Sequence, residues 1–132
     1  MTVFEASAID DVADTFFRAM EGSDVALIEE LLDEDVLIWH TGDREDNRRD
    51  RALRIIYWFL NRTSERRYQI LDRQLFDNST GRGFVQQHVL HATGDHGTIA
   101  LRVCIVVKLG SNGLIGRIDE YLDPADLAPL LQ

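Results

Sequence analysis

The sequence predicts an α+β domain, with helices in the first half of the chain and an antiparallel sheet in the second. Three observations carry this expectation. Apolar residues recur at helical spacing from Ser7 to Met20 and again from Arg51 to Leu60. From Tyr68 onward the chain changes to long β-branched and aromatic runs, broken by clusters of Asp, Asn, Ser, Thr and Gly. The last two runs are joined by Ser111-Asn112-Gly113, which supplies the φ > 0 turn of a hairpin. Helices followed by a strand meander, rather than alternation of the two, separates α+β from α/β.

Taken in order, Ile9, Val12, Ala13, Phe16, Phe17 and Met20 form the buried stripe of a first helix, with Ser7 as its expected cap and Asp10 three residues on. Gly22-Ser23-Asp24 stops it and starts a shorter helix with Val25, Ile28, Leu31 and Leu32 inward. Asp35 to Thr41 reads as a short strand that ends in a Gly-Asp turn. Leu53, Ile56, Tyr57 and Leu60 share one face of a third helix over Arg51–Leu60. Its remaining aromatics, Trp58 and Phe59, are expected to line a pocket or cover the sheet of a partner. Strands follow at Tyr68–Phe76, Gly83–Ala92, Thr98–Leu109 and Leu114–Leu122. Asp123-Pro124-Ala125-Asp126 then provides an N-cap, a proline at the first helical position and an early acid for a closing helix.

At 132 residues, with no repeat or linker, the chain reads as one domain over 1–132 that can bury a core without disulfides. The net charge of −9 argues against nucleic-acid or anionic-membrane partners, because phosphate binding needs clustered positive potential. Residues 44–67 are locally basic through Arg48, Arg49, Arg51, Arg54, Arg62, Arg66 and Arg67, read as a solvated helix face that pairs with the protein's own acids, with an anion site as the alternative. The single cysteine, Cys104, excludes an internal disulfide and any cysteine-based zinc cluster. The first residues lack a basic region followed by an apolar core, so a cytoplasmic location is expected.

Trp39-His40-Thr41, Val85-Gln86-Gln87-His88-Val89-Leu90 and the hairpin from Arg102 to Asp123, in this order of elements, resemble the SnoaL-like branch of the nuclear transport factor 2 (NTF2)-like superfamily. The resemblance covers nearly the whole chain. It implies a cone-shaped barrel: helices packed on a curved, mainly antiparallel sheet around a deep apolar pocket. That fold hosts polyketide cyclases, ketosteroid isomerases, limonene-epoxide hydrolases and proteins without known chemistry, so it implies a pocket and not one reaction. Against the limonene-epoxide hydrolases, Arg102 matches the arginine of an Arg-x-Asp pair and Glu120 the second acid. Cys104 stands where the first acid belongs, so hydrolysis by that route is not expected. Against the ketosteroid isomerases, the general base falls at about His40 and the helix tyrosine at about Phe16, and no acid lies near Ile105.

Strand alternation groups Ala100, Arg102, Cys104 and Val106 on one face and Gly116, Ile118, Glu120 and Leu122 on another. If these faces line the cone, Arg102 and Glu120 are the polar groups that enter it, while Arg117, Asp119 and Tyr121 face outward. The expected catalytic set is therefore His40 as base, Glu120 as a second acid or base and Arg102 orienting Glu120 or a substrate oxygen. Trp39 and Phe16 are expected as apolar wall, with His88, Ile118 and an inert Cys104 completing the substrate surface. His88 and His91 lie three apart on a strand, on opposite faces, so no shared metal is expected, and no cofactor. The expected partner is an apolar small molecule, with homodimerisation through the open sheet face. The competing reading is a non-catalytic ligand-binding or dimerisation module of the same fold.

Overall fold

Thr2, rather than Ser7, begins the first helix, because Thr2 and Glu5 form a reciprocal capping box. The Thr2 hydroxyl accepts from the Glu5 amide at 3.1 Å and the Glu5 carboxylate accepts from the Thr2 amide at 3.0 Å. In the computed structural model, which describes residues 1–131, helix α1 therefore spans Val3–Glu21. Its buried side chains, Ile9, Ala13, Phe16, Phe17, Ala19 and Met20, include the predicted stripe. Asp24 caps α2, Val25–Leu31, by accepting from the Leu27 amide.

Strand β1, Leu32–His40, starts three residues earlier than predicted, since Leu32 is buried and pairs with Ile115. Helix α3 is Arg49–Arg62, followed by β2 (Ser64–Asn78), β3 (Gly81–Gly94), β4 (Gly97–Leu109) and β5 (Ile115–Tyr121). The closing helix is a 3-10 helix over Pro124–Leu130, capped by Asp123 as expected. Pro129 inside it has no N–H to donate, which suits a short 3-10 segment.

The sheet order is β1-β5-β4-β3-β2, antiparallel throughout except for the parallel β1–β5 pair. The expected α+β fold, helices packed on a mainly antiparallel sheet, is present, but the sheet does not close into a barrel. β1 and β2 remain the two edges and do not pair, so the sheet is open. Helix α1 against β2 and α3 against β1 supply the wall that further strand pairing would have provided. A single large apolar core fills the space between helices and sheet, and a smaller cluster of Ala92, Ile99 and Leu130 seats the 3-10 helix.

Register decides which side chains look inward. Ile105 pairs with Glu120 on one side and Gln86 on the other, and Val103 pairs with His88. The inner face of β4 is therefore Leu101, Val103, Ile105 and Val107, all buried. In β2 a register shift between Ile70 and Asp72 changes the parity, so Tyr68 before it and Arg73 and Leu75 after it pair with the inward residues Leu90, Gln86 and Phe84.

The basic segment does not behave as one solvated face. Arg66 is buried and donates to the Met20, Leu60 and Thr63 carbonyls at 2.9, 3.3 and 2.7 Å, and also to the Ser23 hydroxyl. It thereby satisfies C-terminal carbonyls of both α1 and α3, where the helix dipole favours a cation. Burial lowers its pKa, the expected direction for a desolvated guanidinium. Among the described residues no helix is long and apolar enough to cross a membrane.

Candidate active site

The loop after β1 folds back on its own strand. Gly42 takes φ = 98°, a conformation that favours glycine, and Asn47 exchanges backbone hydrogen bonds with Ile38 at 2.8 and 3.0 Å. The buried Asn47 amide also donates to the Ile38 carbonyl at 3.0 Å and to Asp43 Oδ2 at 2.9 Å. Asp43 Oδ2 in turn lies 2.9 Å from the His40 amide and 3.0 Å from His40 Nδ1. Burial raises the Asp43 pKa, but the hydrogen bonds from His40 and Asn47 outweigh it and the net shift is downward. An ionised Asp43 accepts the Nδ1 proton, so neutral His40 is left with a lone pair on Nε2.

That lone pair faces Glu120. His40 Nε2 and Glu120 Oε2 are 3.9 Å apart, with the two side chains 23% and 25% exposed. The gap is too long for a direct hydrogen bond and wide enough for one bridging atom. Thr41 fastens the strand ends around the pair: its amide donates to the Glu120 carbonyl at 3.0 Å and its hydroxyl accepts from Leu122 at 3.1 Å. Burial raises the Glu120 pKa, and only His40 opposes that shift. Tyr68 is pushed up by burial and next by the Glu120 charge, which keeps its phenol protonated.

His40, Glu120 and Tyr68 stand in the wall of an otherwise largely apolar cavity of about 130 Å³. Phe16, Phe17 and Met20 of α1, Trp58 and Phe59 of α3, Leu101 and Ile105 of β4 and Leu127 of the 3-10 helix supply most of the rest. Phe16, His88 and Ile118 also line it. Three expected site residues do not. Arg102 and Cys104 share the parity of Asp119 and Tyr121 and therefore lie on the outer face, where Arg102 is exposed. The inward positions of β4 are apolar, so no arginine–acid pair on that strand reaches the cavity. Trp39 cannot face the same side as His40, its neighbour on a strand; its indole donates to the Asp43 carbonyl at 3.0 Å and packs 5.3 Å from the Tyr121 ring.

Asp43, Asn47 and Tyr68 were not anticipated. The Gly42-Asp43 turn was visible in the sequence, but its return onto His40 depends on the Asn47–Ile38 bridge. Tyr68 stood at the start of a predicted strand, yet its inward direction depends on the β2 register shift. Among the described residues no group of three His, Cys, Asp or Glu is placed to hold a metal ion.

No family model matches the chain, and no curated protein sequence matches it. Solved structures do. PrhC from Penicillium brasilianum superposes with a TM-score of 0.82 at 11% identity, over 96% of this chain and 87% of that one. A putative SnoaL-like polyketide cyclase from Shewanella denitrificans gives 0.75 at 13% identity, over 99% and 98%. The chain has the SnoaL-like, NTF2-like fold. An LEH-like epoxide hydrolase of M. tuberculosis shares this SnoaL-like architecture with a TM-score of 0.71 at 17% identity, over 96% and 90%.

Proposed function

We propose that this SnoaL-like chain is a small-molecule enzyme that performs acid/base chemistry on an apolar substrate, without a cofactor. One observation carries the reading. In the wall of a mainly apolar cavity, Glu120 has no side-chain hydrogen-bond partner among the described residues and faces His40 across 3.9 Å. An unpartnered, desolvated carboxyl is costly, so its retention there points to work on a ligand.

In this reading Asp43 holds the imidazole so that Nε2 is the proton acceptor, and burial shifts Glu120 toward its carboxylic-acid form, the form that donates. Nε2 takes a proton from a substrate C–H or O–H, and Glu120 gives its proton to the oxygen on which charge develops. The imidazolium then returns a proton to the carboxylate across the same gap, through product or one water, which restores both groups. Isomerisation, cyclisation and dehydration each need this exchange in a desolvated pocket. Structural neighbours that include a putative polyketide cyclase and an epoxide hydrolase support a chemistry of this kind.

A panel of apolar epoxides, β,γ-unsaturated ketones and tertiary alcohols tests it. Turnover of at least one class is expected, lost in His40→Asn and in Glu120→Gln with near-UV circular dichroism and ligand binding retained. Binding without turnover in the wild type, or turnover unchanged in both variants, overturns the reading.

A further inference from the structure

His88 lies deeper in the same cavity and takes no part in the exchange above. It sits on β3, 1% exposed, with the Tyr68 and Phe17 rings edge-on at 5.0 and 5.4 Å. Its Nδ1 is 2.9 Å from the side-chain nitrogen of fully buried Gln86, two residues earlier on the same face. The Gln86 oxygen accepts from Arg73 Nε at 2.8 Å, and Arg73 is anchored by Asp14 at 2.8 Å and Asp10 at 3.3 Å.

This chain of contacts has one consistent direction. A guanidinium only donates, so the Gln86 oxygen must face Arg73 and its NH₂ must face His88. Nδ1 of His88 is then an acceptor, and a neutral imidazole with Nδ1 accepting carries its proton on Nε2. Burial pushes the His88 pKa down to about 4, so the ring is neutral at pH 7. Among the described residues no protein group hydrogen-bonds Nε2, and His88 lines the cavity.

We propose that His88 Nε2–H is a fixed hydrogen-bond donor in the cavity wall, aligned by Gln86 and Arg73, and that it holds a carbonyl or ether oxygen of the substrate. The oxygen held there belongs to an uncharged group, because the lining contains no lysine or arginine to accompany an anionic one. Separation from the His40–Glu120 pair follows from the sheet order: β4 lies between β3 and β5, so the two backbones are roughly 10 Å apart. The substrate is therefore an apolar body with an acceptor oxygen held at His88 and a separate reacting centre, carrying the oxygen that Glu120 protonates, displaced from it toward β5. That last assignment rests on the acid/base reading; the donor itself rests on the hydrogen-bond geometry.

Non-reacting probes separate the two. In the wild type, ¹⁵N NMR of labelled histidine is expected to show His88 neutral and protonated on Nε2 at pH 7. Cyclohexanone is expected to bind about 5- to 10-fold tighter than methylenecyclohexane, the effect of one neutral hydrogen bond. His88→Phe should abolish that preference with hydrocarbon binding retained. Gln86→Glu should accept from both neighbours, move the His88 proton to Nδ1 and shift the preference from cyclohexanone to cyclohexanol. His40→Asn and Glu120→Gln should leave the ketone preference intact, whatever they do to turnover. An Nδ1–H or doubly protonated His88 at pH 7 overturns the proposal without any variant having to fold. So does equal binding of the ketone and hydrocarbon, or failure of both to bind.

Discussion

The two faces of the β1–β5 strand pair hold the same kinds of residue and treat them in opposite ways. On the outer face, Arg117 makes four contacts of 2.9–3.0 Å with Asp46 and Asp119, and Trp39 stacks near a half-exposed Tyr121. Those contacts raise the Arg117 pKa and hold Asp46 below the usual carboxylate range. One residue further along each strand, His40 and Glu120 look inward and stop 3.9 Å short of each other. Charges that are mutually satisfied near water contribute modest stability. Groups held close but not hydrogen-bonded to each other in a largely apolar cavity lower stability and remain available to a ligand.

The largest expected effect would break this comparison if it appeared on the wrong face. His40→Asn and Glu120→Gln should each reduce turnover by about 10²- to 10⁴-fold, whereas Arg117→Gln should leave it within about twofold. Equal losses on both faces, measured as kcat/KM, would refute the division of labour.

Acid unfolding sharpens the inner side. His88 is held at about 4 in the folded state against 6.5 for a free imidazole, so the unfolded chain binds the extra proton first as pH falls. Its contribution is complete above pH 6.5 and is lost toward pH 4, on the order of 3 kcal/mol in all. Urea titrations at pH 7, 5.5 and 4.5 should show that slope, and His88→Phe should flatten it. A wild-type slope that survives in the variant would place the titrating group elsewhere.

Glu120 has the opposite sign. Its folded pKa is raised, so the folded state favours the protonated form, and stability falls as pH rises above the free carboxyl value until the folded pKa is passed. Glu120→Gln removes that cost and should stabilise the protein at pH 7 by about 0.5–2 kcal/mol. The gain should vanish below pH 4.5, the ordinary value for this carboxyl. A destabilised Gln variant at pH 7 would show that the carboxylate is structurally paired after all. On the outer face Arg117→Ala should cost only about 0.5–1 kcal/mol and less in high salt, since its side chain is 33% exposed. Arg102→Ala, exposed on the same face, should change stability by less than about 0.5 kcal/mol and turnover not at all.

Much of the architecture was legible because it is written in local pattern. Helical spacing in α1, the Asn112-Gly113 turn and the Asp123-Pro124 cap each act within a few residues, and the structure reproduces them with shifted ends. The outward set of Arg117, Asp119 and Tyr121 and the inward set of Ile118, Glu120 and Leu122 were also readable, because strand alternation is a property of one strand. Alternation does not say which of two faces on a neighbouring strand joins them. In β4 the Arg102–Cys104 face offers the polar groups, but Leu101, Val103 and Ile105 form the more apolar face and are the ones buried. A one-residue difference in register reverses every side chain, and only the Ile105–Glu120 pairing settles it.

The sequence by itself thus determined the α+β order, the helix stripes, the hairpin turns and the inward direction of Glu120, since each depends on period, propensity or capping along one segment. Tertiary structure decided which residues share the cavity with Glu120. Asp43 reaches His40 through a loop bridge, Tyr68 turns inward through a β2 register shift, and Arg73 aligns His88 from another strand through Gln86. Those contacts join segments far apart in the chain, and no local periodicity encodes the register that brings them together.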